Sequence, residues 1–334
     1  MIISRTPFRL SFFGGGTDYP EWFETNPGAV LATTFDKYGY IFCQPTSSFV
    51  DYKYRISYRL TEIVNDRRDI QHPAVRAALG QLGIEFGVEL DYHGDLLARS
   101  GIGSSSAFCV GLLDVFYHLI GQPKSKAHIA REAINLERNV LREVVGVQDQ
   151  YSCAIGGINF LEFNSNNTVS ITPIVLDDSK IDEIQNRIVL VYSGLQRDSS
   201  QVSQTLLEDM SQNEKRFVSN YEMAVRAKAI LETGQDLDEF GDMLRVAWDL
   251  KAKMNRNSVT GELDEIYQVA LSRGALGGKV LGAGGGGFMM FWIPADTRER
   301  FISEMSQFTI IPISLETEGT KILYSDAPVT RTPI

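Results

Sequence analysis

The sequence predicts an α+β protein in two domains, 1–185 and 186–334. Three observations carry that prediction. Strand and helix patterns are mixed through the first half, whereas long helical patterns fill the second before strands close it. A polar stretch rich in Asp and Ser at 177–186 separates the halves. Three glycine-rich loops are spread over the chain, and two domains give them a cleft to face.

In order, Phe8, Leu10 and Phe12 alternate with Arg9, Ser11 and Phe13, a strand that runs into Gly14-Gly15-Gly16. Further strands are expected near 39–44, 51–59, 87–93, 158–163 and 168–173, with Asn164 to Asn167 as a hairpin turn. Helices are expected at 104–120 and 126–145, the second capped by Ser125. The second half opens on the strand Arg187–Tyr192 and continues with helical patterns at 200–232, 236–254 and 262–273. A strand at 278–281, a glycine loop, a strand at 287–293, a helix at 295–306 and strands at 309–315 and 321–324 complete it. Neither an internal repeat nor a low-complexity tract is present.

Bulk composition narrows the function. The formal net charge of −10 argues against nucleic acid or an anionic membrane as partner, and requires a local basic cluster for any phosphorylated substrate. Cys43, Cys109 and Cys153 lack metal-ligand spacing and suit reduced core thiols in a cytoplasmic protein. No apolar run is long enough for a membrane span, and the start lacks the basic-then-apolar order of a signal peptide.

The most telling stretch is Ser100-Gly101-Ile102-Gly103-Ser104-Ser105-Ser106-Ala107. Gly101 and Gly103 permit a tight turn, and the serines place hydroxyls at a helix N-terminus that already favours an anion. One serine would read as an ordinary cap; three behind Gly-x-Gly point to a phosphate. A second loop, Gly282-Ala283-Gly284-Gly285-Gly286-Gly287, contains Gly-x-Gly-x-x-Gly but leads into the strand-like Phe288 to Trp292, so a dinucleotide fold fails on context. It instead brings bare backbone close to a neighbour or ligand. In the third, Asp18 follows Gly14 to Thr17, where a carboxylate beside a glycine wall suits sugar hydroxyls; a helix cap is the plainer reading.

Glu137 sits on the apolar stripe formed by Ala130, Ala133, Ile134, Val140, Leu141 and Val144. A carboxylate there needs a cation or a metal ion. Asp149 follows twelve positions later, and two carboxylates beside a phosphate loop suit Mg²⁺ and an attacking hydroxyl. A buried Glu–Arg pair with a capping Asp is the structural alternative. On the 51–59 strand, Lys53, Arg55 and Arg59 share a face that either is simply solvated or holds a phosphate. Walker-type and protein-kinase signatures are absent, and the serine run is one residue short of a hydrolase elbow.

Together these pieces resemble the GHMP family of small-molecule kinases, which includes galactokinase, homoserine kinase and mevalonate kinase. Three motifs match: Thr6 through Tyr19, Gly101 to Ala107, and Lys279 to Gly287. The resemblance implies an N-terminal domain like domain 2 of ribosomal protein S5, a ferredoxin-like C-terminal domain, and ATP with Mg²⁺ between them. It implies a phosphate loop of Gly101, Gly103, Ser104, Ser105 and Ser106 backed by Gly284 and Gly285, with Ser105 and Glu137 on the metal. It also implies Asp149 as the catalytic aspartate and Arg9 as the cation beside it, favouring its ionised form and balancing transition-state charge.

Galactokinases read Gly-Glu-His-Thr-Asp-Tyr where this chain reads Gly14-Gly15-Gly16-Thr17-Asp18-Tyr19. The resemblance is therefore nearer to D-glycero-D-manno-heptose 7-phosphate kinases and to the kinase part of fucokinases, as are Tyr192 to Ser200 and the surroundings of Ala247, Trp248 and Lys251. It implies a small sugar phosphate bound by Gly15, Gly16, Thr17, Asp18 and Arg197, and phosphorylated at its anomeric hydroxyl. An L-fucokinase or another hexose 1-kinase is the alternative, and the oligomer is a monomer or homodimer. A nucleotide-binding regulator without catalysis would be expected to lose Asp149 or Glu137, and both are present.

Overall fold

The computed structural model describes residues 1–98, 100–195, 199–234, 236–254 and 259–326. The alternation around Arg9 does produce a strand, β1 (Ile2–Phe13), and it is the spine of the larger sheet. It pairs antiparallel with β2 (Gly28–Pro45), with irregular steps between Pro7 and Phe8 and between Ser11 and Phe13. The hairpin of β3 (Tyr54–Ser57) and β4 (Thr61–Val64) joins through β3, which runs parallel to β5 (Val88–Gly94); β5 in turn pairs with β2. A second hairpin, β6 (Asn159–Phe163) and β7 (Val169–Pro173), attaches to the start of β2.

The smaller sheet contains β8 (Ile188–Tyr192), β9 (Gly277–Val280), β10 (Phe288–Trp292) and β11 (Thr309–Ile311) in the order β11-β8-β10-β9. The last two strands, β12 (Leu315–Glu316) and β13 (Lys321–Ser325), return to the larger sheet, on β2 and β1 respectively.

Helices α1 (Pro20–Phe23), α2 (Pro73–Gln81), α3 (Ser104–Leu119), α4 (Lys126–Ile134) and α5 (Gln148–Ile155) accompany the first sheet. They are followed by α6 (Asp178–Arg187), α7 (Ser199–Glu208), α8 (Glu214–Thr233), α9 (Leu237–Met254), α10 (Gly261–Ser272) and α11 (Arg298–Glu304). α3 is buried nearly all round, as its unbroken apolar run requires, and packs on β1 and β2.

Several expectations are corrected. The helix expected at 126–145 ends its regular part at Ile134, passes through a π-helical turn (Asn135–Val140), and leaves a new helix, α5, to carry Asp149. The Asp- and Ser-rich stretch at 177–186, given no element from the sequence, forms α6: Asp177 caps it by accepting the Lys180 N–H at 2.9 Å. The helix expected at 200–232 is broken between α7 and α8, and the 51–59 strand shortens to β3. We propose 185/186 as the start of the second unit, with β12 and β13 as a return to the first.

The two sheets share apolar packing. Phe12 lies 5.3 Å from Phe240 of α9, ring centre to ring centre, and Phe240 stacks on Trp292 of β10 at 4.4 Å. This bridge fixes the second sheet and its glycine loop against the end of β1.

Candidate active site

Arg9 points from the middle of β1 and is 4% exposed. Its Nε donates to Asp149 Oδ1 at 2.7 Å, its Nη2 to Asp149 Oδ2 at 2.6 Å, and its Nη1 to the Gly101 carbonyl at 2.5 Å. Burial works against its charge, yet Asp149 holds the guanidinium above its ordinary range. The Arg9 N–H also donates to the Ile102 carbonyl at 3.1 Å, so the free edge of β1 carries the phosphate loop.

That loop turns through Gly101 at φ +82° and Gly103 at φ +72°, conformations that favour glycine. The ladder of α3 begins with Ala107 N–H on the Gly103 carbonyl at 2.9 Å, leaving the preceding N–H groups outside it. Ser104 and Ser106 are buried and Ser105 is exposed. Such an end is built for an anion.

The second glycine loop packs on the first. A Cβ on Gly101 would lie 2.5 Å from the Leu281 carbonyl oxygen, and one on Gly287 would lie 2.2 Å from the Ser100 oxygen. The Phe288 N–H donates to that same Ser100 oxygen at 3.0 Å. Gly284 and Gly285, at φ +102° and +80°, form the outer part of the turn.

Glu137 is fully buried (0% exposed). Its carboxylate accepts from the Ser106 hydroxyl, 3.1 Å from Oε1 and 2.9 Å from Oε2, and from the Gln150 amide, 2.5 Å from Oε2. Burial pushes the carboxyl up to about 8, and these hydrogen bonds only partly counter it. Ser106, the residue after Ser105, thus makes the contact on Glu137. Among the described residues no cation pairs with Glu137, and the Gln148 and Gln150 amide oxygens are buried without a partner. No group of three or more metal-ligating side chains occurs among the described residues. A single buried carboxylate with the Ser106 hydroxyl and the Gln150 amide beside it fits Mg²⁺, which takes few protein ligands and keeps water and phosphate oxygens.

Asp18 is 1% exposed; its Oδ1 accepts the Gly16 N–H at 2.9 Å and its Oδ2 the Gln148 N–H at 3.3 Å. Burial, then the Asp149 charge, raises its pKa. Asp18 therefore ties the first glycine motif to the turn that carries Asp149. The Thr17 hydroxyl lies 2.8 Å from the Gly14 oxygen and 3.0 Å from the Ala29 oxygen, inside the loop. Gly15 is half-buried and its carbonyl accepts from Asn220 of α8 at 2.6 Å, while Gly16 lies against Phe217. Arg197 lies outside the described residues.

The structure thus brings Arg9, Gly101, Gly103, Glu137 and Asp149 together. It does not bring Arg55, which pairs with Asp91 at 3.1 Å on β3, with β5 and β2 between it and β1. Gln148 and Gln150 went unnoticed in the sequence. The available signal was their position on either side of a proposed catalytic Asp.

Residues 70–157 match the model of the GHMP kinases N terminal domain, and residues 227–310 match that of the GHMP kinases C terminal domain. Together they span just over half of the chain. The chain belongs to the GHMP kinase family. As a GHMP kinase it is a phosphotransferase that uses ATP, and the loop beside the Arg9–Asp149 pair and the glycine loop packed on it both lie within the matched residues. Among similar proteins is D-glycero-alpha-D-manno-heptose 7-phosphate kinase of Campylobacter jejuni, 27% identical, covering 96% of this GHMP kinase and 98% of that protein. Bifunctional fucokinase/GDP-fucose pyrophosphorylase of Arabidopsis thaliana is 22% identical over 85% of the chain and 29% of that protein. The fold superposes on a D-glycero-D-manno-heptose 1-phosphate kinase from Bacteriodes thetaiotaomicron with a TM-score of 0.81, at 23% identity, covering 98% and 100% of the two chains. No helix among the described residues is long and apolar enough to cross a membrane.

Proposed function

We propose that this GHMP kinase transfers the γ-phosphoryl group of ATP to the anomeric hydroxyl of D-glycero-D-manno-heptose 7-phosphate, giving the 1,7-bisphosphate. That product suits the synthesis, in the cytoplasm, of nucleotide-activated heptose for surface polysaccharide. The observation that carries the substrate is end-to-end similarity to the Campylobacter heptose 7-phosphate kinase, joined to a first motif with Gly15 and Gly16 where galactokinases carry Glu and His. A hexose 1-kinase acting on L-fucose is the second reading, supported by the similarity to the Arabidopsis fucokinase.

In this reading Asp149 accepts the hydrogen bond of the attacking hydroxyl and orients it in line with the phosphate loop. Arg9 orients Asp149 through two hydrogen bonds and, through Gly101, holds the loop at a fixed distance from it. The acceptor's other hydroxyls would meet the half-buried Gly15 end of the first motif, whose shape the buried Thr17 and Asp18 maintain. Ser104, Ser105, Ser106 and the N–H groups of Gly101 to Ser106 take the nucleotide phosphates, and Gly284 and Gly285 close over them. Glu137 and a serine of the run, Ser105 or Ser106, would hold Mg²⁺, which neutralises phosphate charge when bound. No covalent enzyme intermediate is needed.

The test is Mg²⁺-dependent ADP release with a panel of D-glycero-D-manno-heptose 7-phosphate, mannose 6-phosphate, mannose, L-fucose and galactose. Strong turnover on the heptose phosphate alone is expected. Turnover on L-fucose with none on the heptose phosphate would overturn the substrate and leave the kinase.

A further inference from the structure

With a net charge of −10, a phosphorylated ligand needs a local surplus of positive charge. The β3 strand does not supply it, because Arg55 is neutralised by Asp91 away from β1. A surplus exists elsewhere. Lys279 of β9 crosses between the sheets and donates its Nζ to the Phe12 carbonyl at 2.9 Å, at the irregular step of β1 just ahead of Gly14. Lys251 of α9 donates its Nζ to the Val280 carbonyl at 3.0 Å and the Gly282 carbonyl at 2.6 Å. The residue between those two, Leu281, is the one whose carbonyl touches Gly101 of the phosphate loop.

Neither lysine forms an ion pair among the described residues. The charges that bear on Lys251 are Lys279 and Arg9, and the charge that bears on Lys279 is Arg9. Arg9 is answered by Asp149; the lysines are answered only by carbonyl dipoles. Burial, reinforced by the neighbouring cations, pushes Lys279 down to about 7 and Lys251 well below the usual lysine range.

Capping of strand carbonyls alone does not account for them. Arg245, on the same helix, caps the Leu276 carbonyl at 2.9 Å from an exposed position and keeps its charge in water. Lys251 and Lys279 are half-buried and turn theirs away from open water into the seam between the sheets, where a neutral hydrogen-bond donor would serve the carbonyls as well.

We propose that Lys251 and Lys279 form an anion subsite for a phosphate group, belonging to the acceptor or to the nucleotide, at the seam between the Gly14–Gly16 and Gly282–Gly287 loops. The proposal rests on the reading of the chain as a kinase of a phosphorylated sugar.

Lys251→Gln and Lys279→Gln keep N–H donors for the carbonyls and remove the charge. Calorimetric titration of the full chain with D-glycero-D-manno-heptose 7-phosphate, ADP and inorganic pyrophosphate is expected to show at least a tenfold loss of affinity for the phosphate the lysines hold. Lys→Arg at the same positions should recover most of it. Loss confined to the heptose phosphate assigns the subsite to the acceptor, and loss for ADP and pyrophosphate assigns it to the nucleotide. Affinities within threefold of wild type for all three ligands overturn the proposal. If wild-type protein binds ADP but not the heptose phosphate, the substrate reading fails while the ADP and pyrophosphate arms still decide the subsite. If a glutamine variant fails to fold, acetylation of the two amines in wild-type protein, mapped by mass spectrometry, decides instead. At least threefold protection by the heptose phosphate or pyrophosphate supports the subsite, and equal labelling without ligand and with either one overturns it.

Discussion

Arg9 and Asp149 are joined by two parallel hydrogen bonds, and the third arm of the same guanidinium rests on the Gly101 carbonyl. One side chain therefore sets both the orientation of a carboxylate and its distance from the phosphate loop. Asp149→Asn is expected to lower kcat by about 10²–10⁴-fold while the Kd for ADP changes little. Steady-state kinetics with ADP calorimetry checks this, and unchanged turnover would remove Asp149 from the mechanism. Arg9→Lys should also lower kcat, since an ammonium cannot reproduce the fork.

Glu137 has a folded pKa of about 8 against 4.5 for a free glutamate. A raised pKa means that the fold holds the proton more tightly than the unfolded chain. Its contribution to stability is full below 4.5 and is lost as pH rises through 8. Lys279, depressed to about 7, has the opposite slope, but only above that pH. Between 4.5 and 7, metal-free wild-type protein should lose stability that Glu137→Gln retains. At pH 8 the variant should be more stable by about 1–3 kcal/mol, and it should bind Mn²⁺ more weakly. Denaturation midpoints against pH check the first claim, and identical slopes would refute it.

Gln150 links the two carboxylates, adjoining Asp149 in the chain and donating to Glu137 at 2.5 Å. Gln150→Ala frees the Glu137 carboxylate to rotate. ADP affinity in the presence of Mg²⁺ should fall about tenfold, while metal-free ADP affinity stays near wild type. Equal loss in both titrations would make Gln150 a packing residue only.

Gly287 combines φ +85° with the Ser100 oxygen 2.2 Å from where a Cβ would sit. Gly287→Ala should destabilise by about 1–3 kcal/mol and weaken ADP binding, because the contact is backbone on backbone. Gly83→Ala is the control: its φ is +63°, but nothing lies within 4 Å, so the cost should be about 1 kcal/mol with nucleotide binding intact. Chemical denaturation of both variants separates crowding from backbone strain.

Local chemistry made much of this legible. The span expected for α3 ends one residue beyond the observed Leu119, because an apolar run behind a glycine turn leaves few alternatives. Glu137 stood out because it broke an apolar stripe, and it is fully buried. What escaped depends on distant partners. β2 was anticipated only near 39–44, since Ala29 to Phe35 are buried on both faces and show no alternation. α5 was missed because Gln148, Asp149 and Gln150 look like a polar loop until packing buries the two glutamines and Arg9 takes the aspartate. Ser105 and Ser106 are indistinguishable as letters, and the phase of α3 decides which reaches Glu137.

The pairing of β13 with β1 sets Ile2 opposite Ser325 and Ile3 opposite Tyr324. A ribosome delivers those partners more than 300 residues apart. At about 5–20 residues per second, tens of seconds separate the emergence of β1 from that of β13. During that interval the sheet carrying Arg9 exposes a sticky margin on which another nascent chain could dock. Slowing synthesis ahead of residue 321 is therefore expected to raise aggregation more than slowing it afterwards.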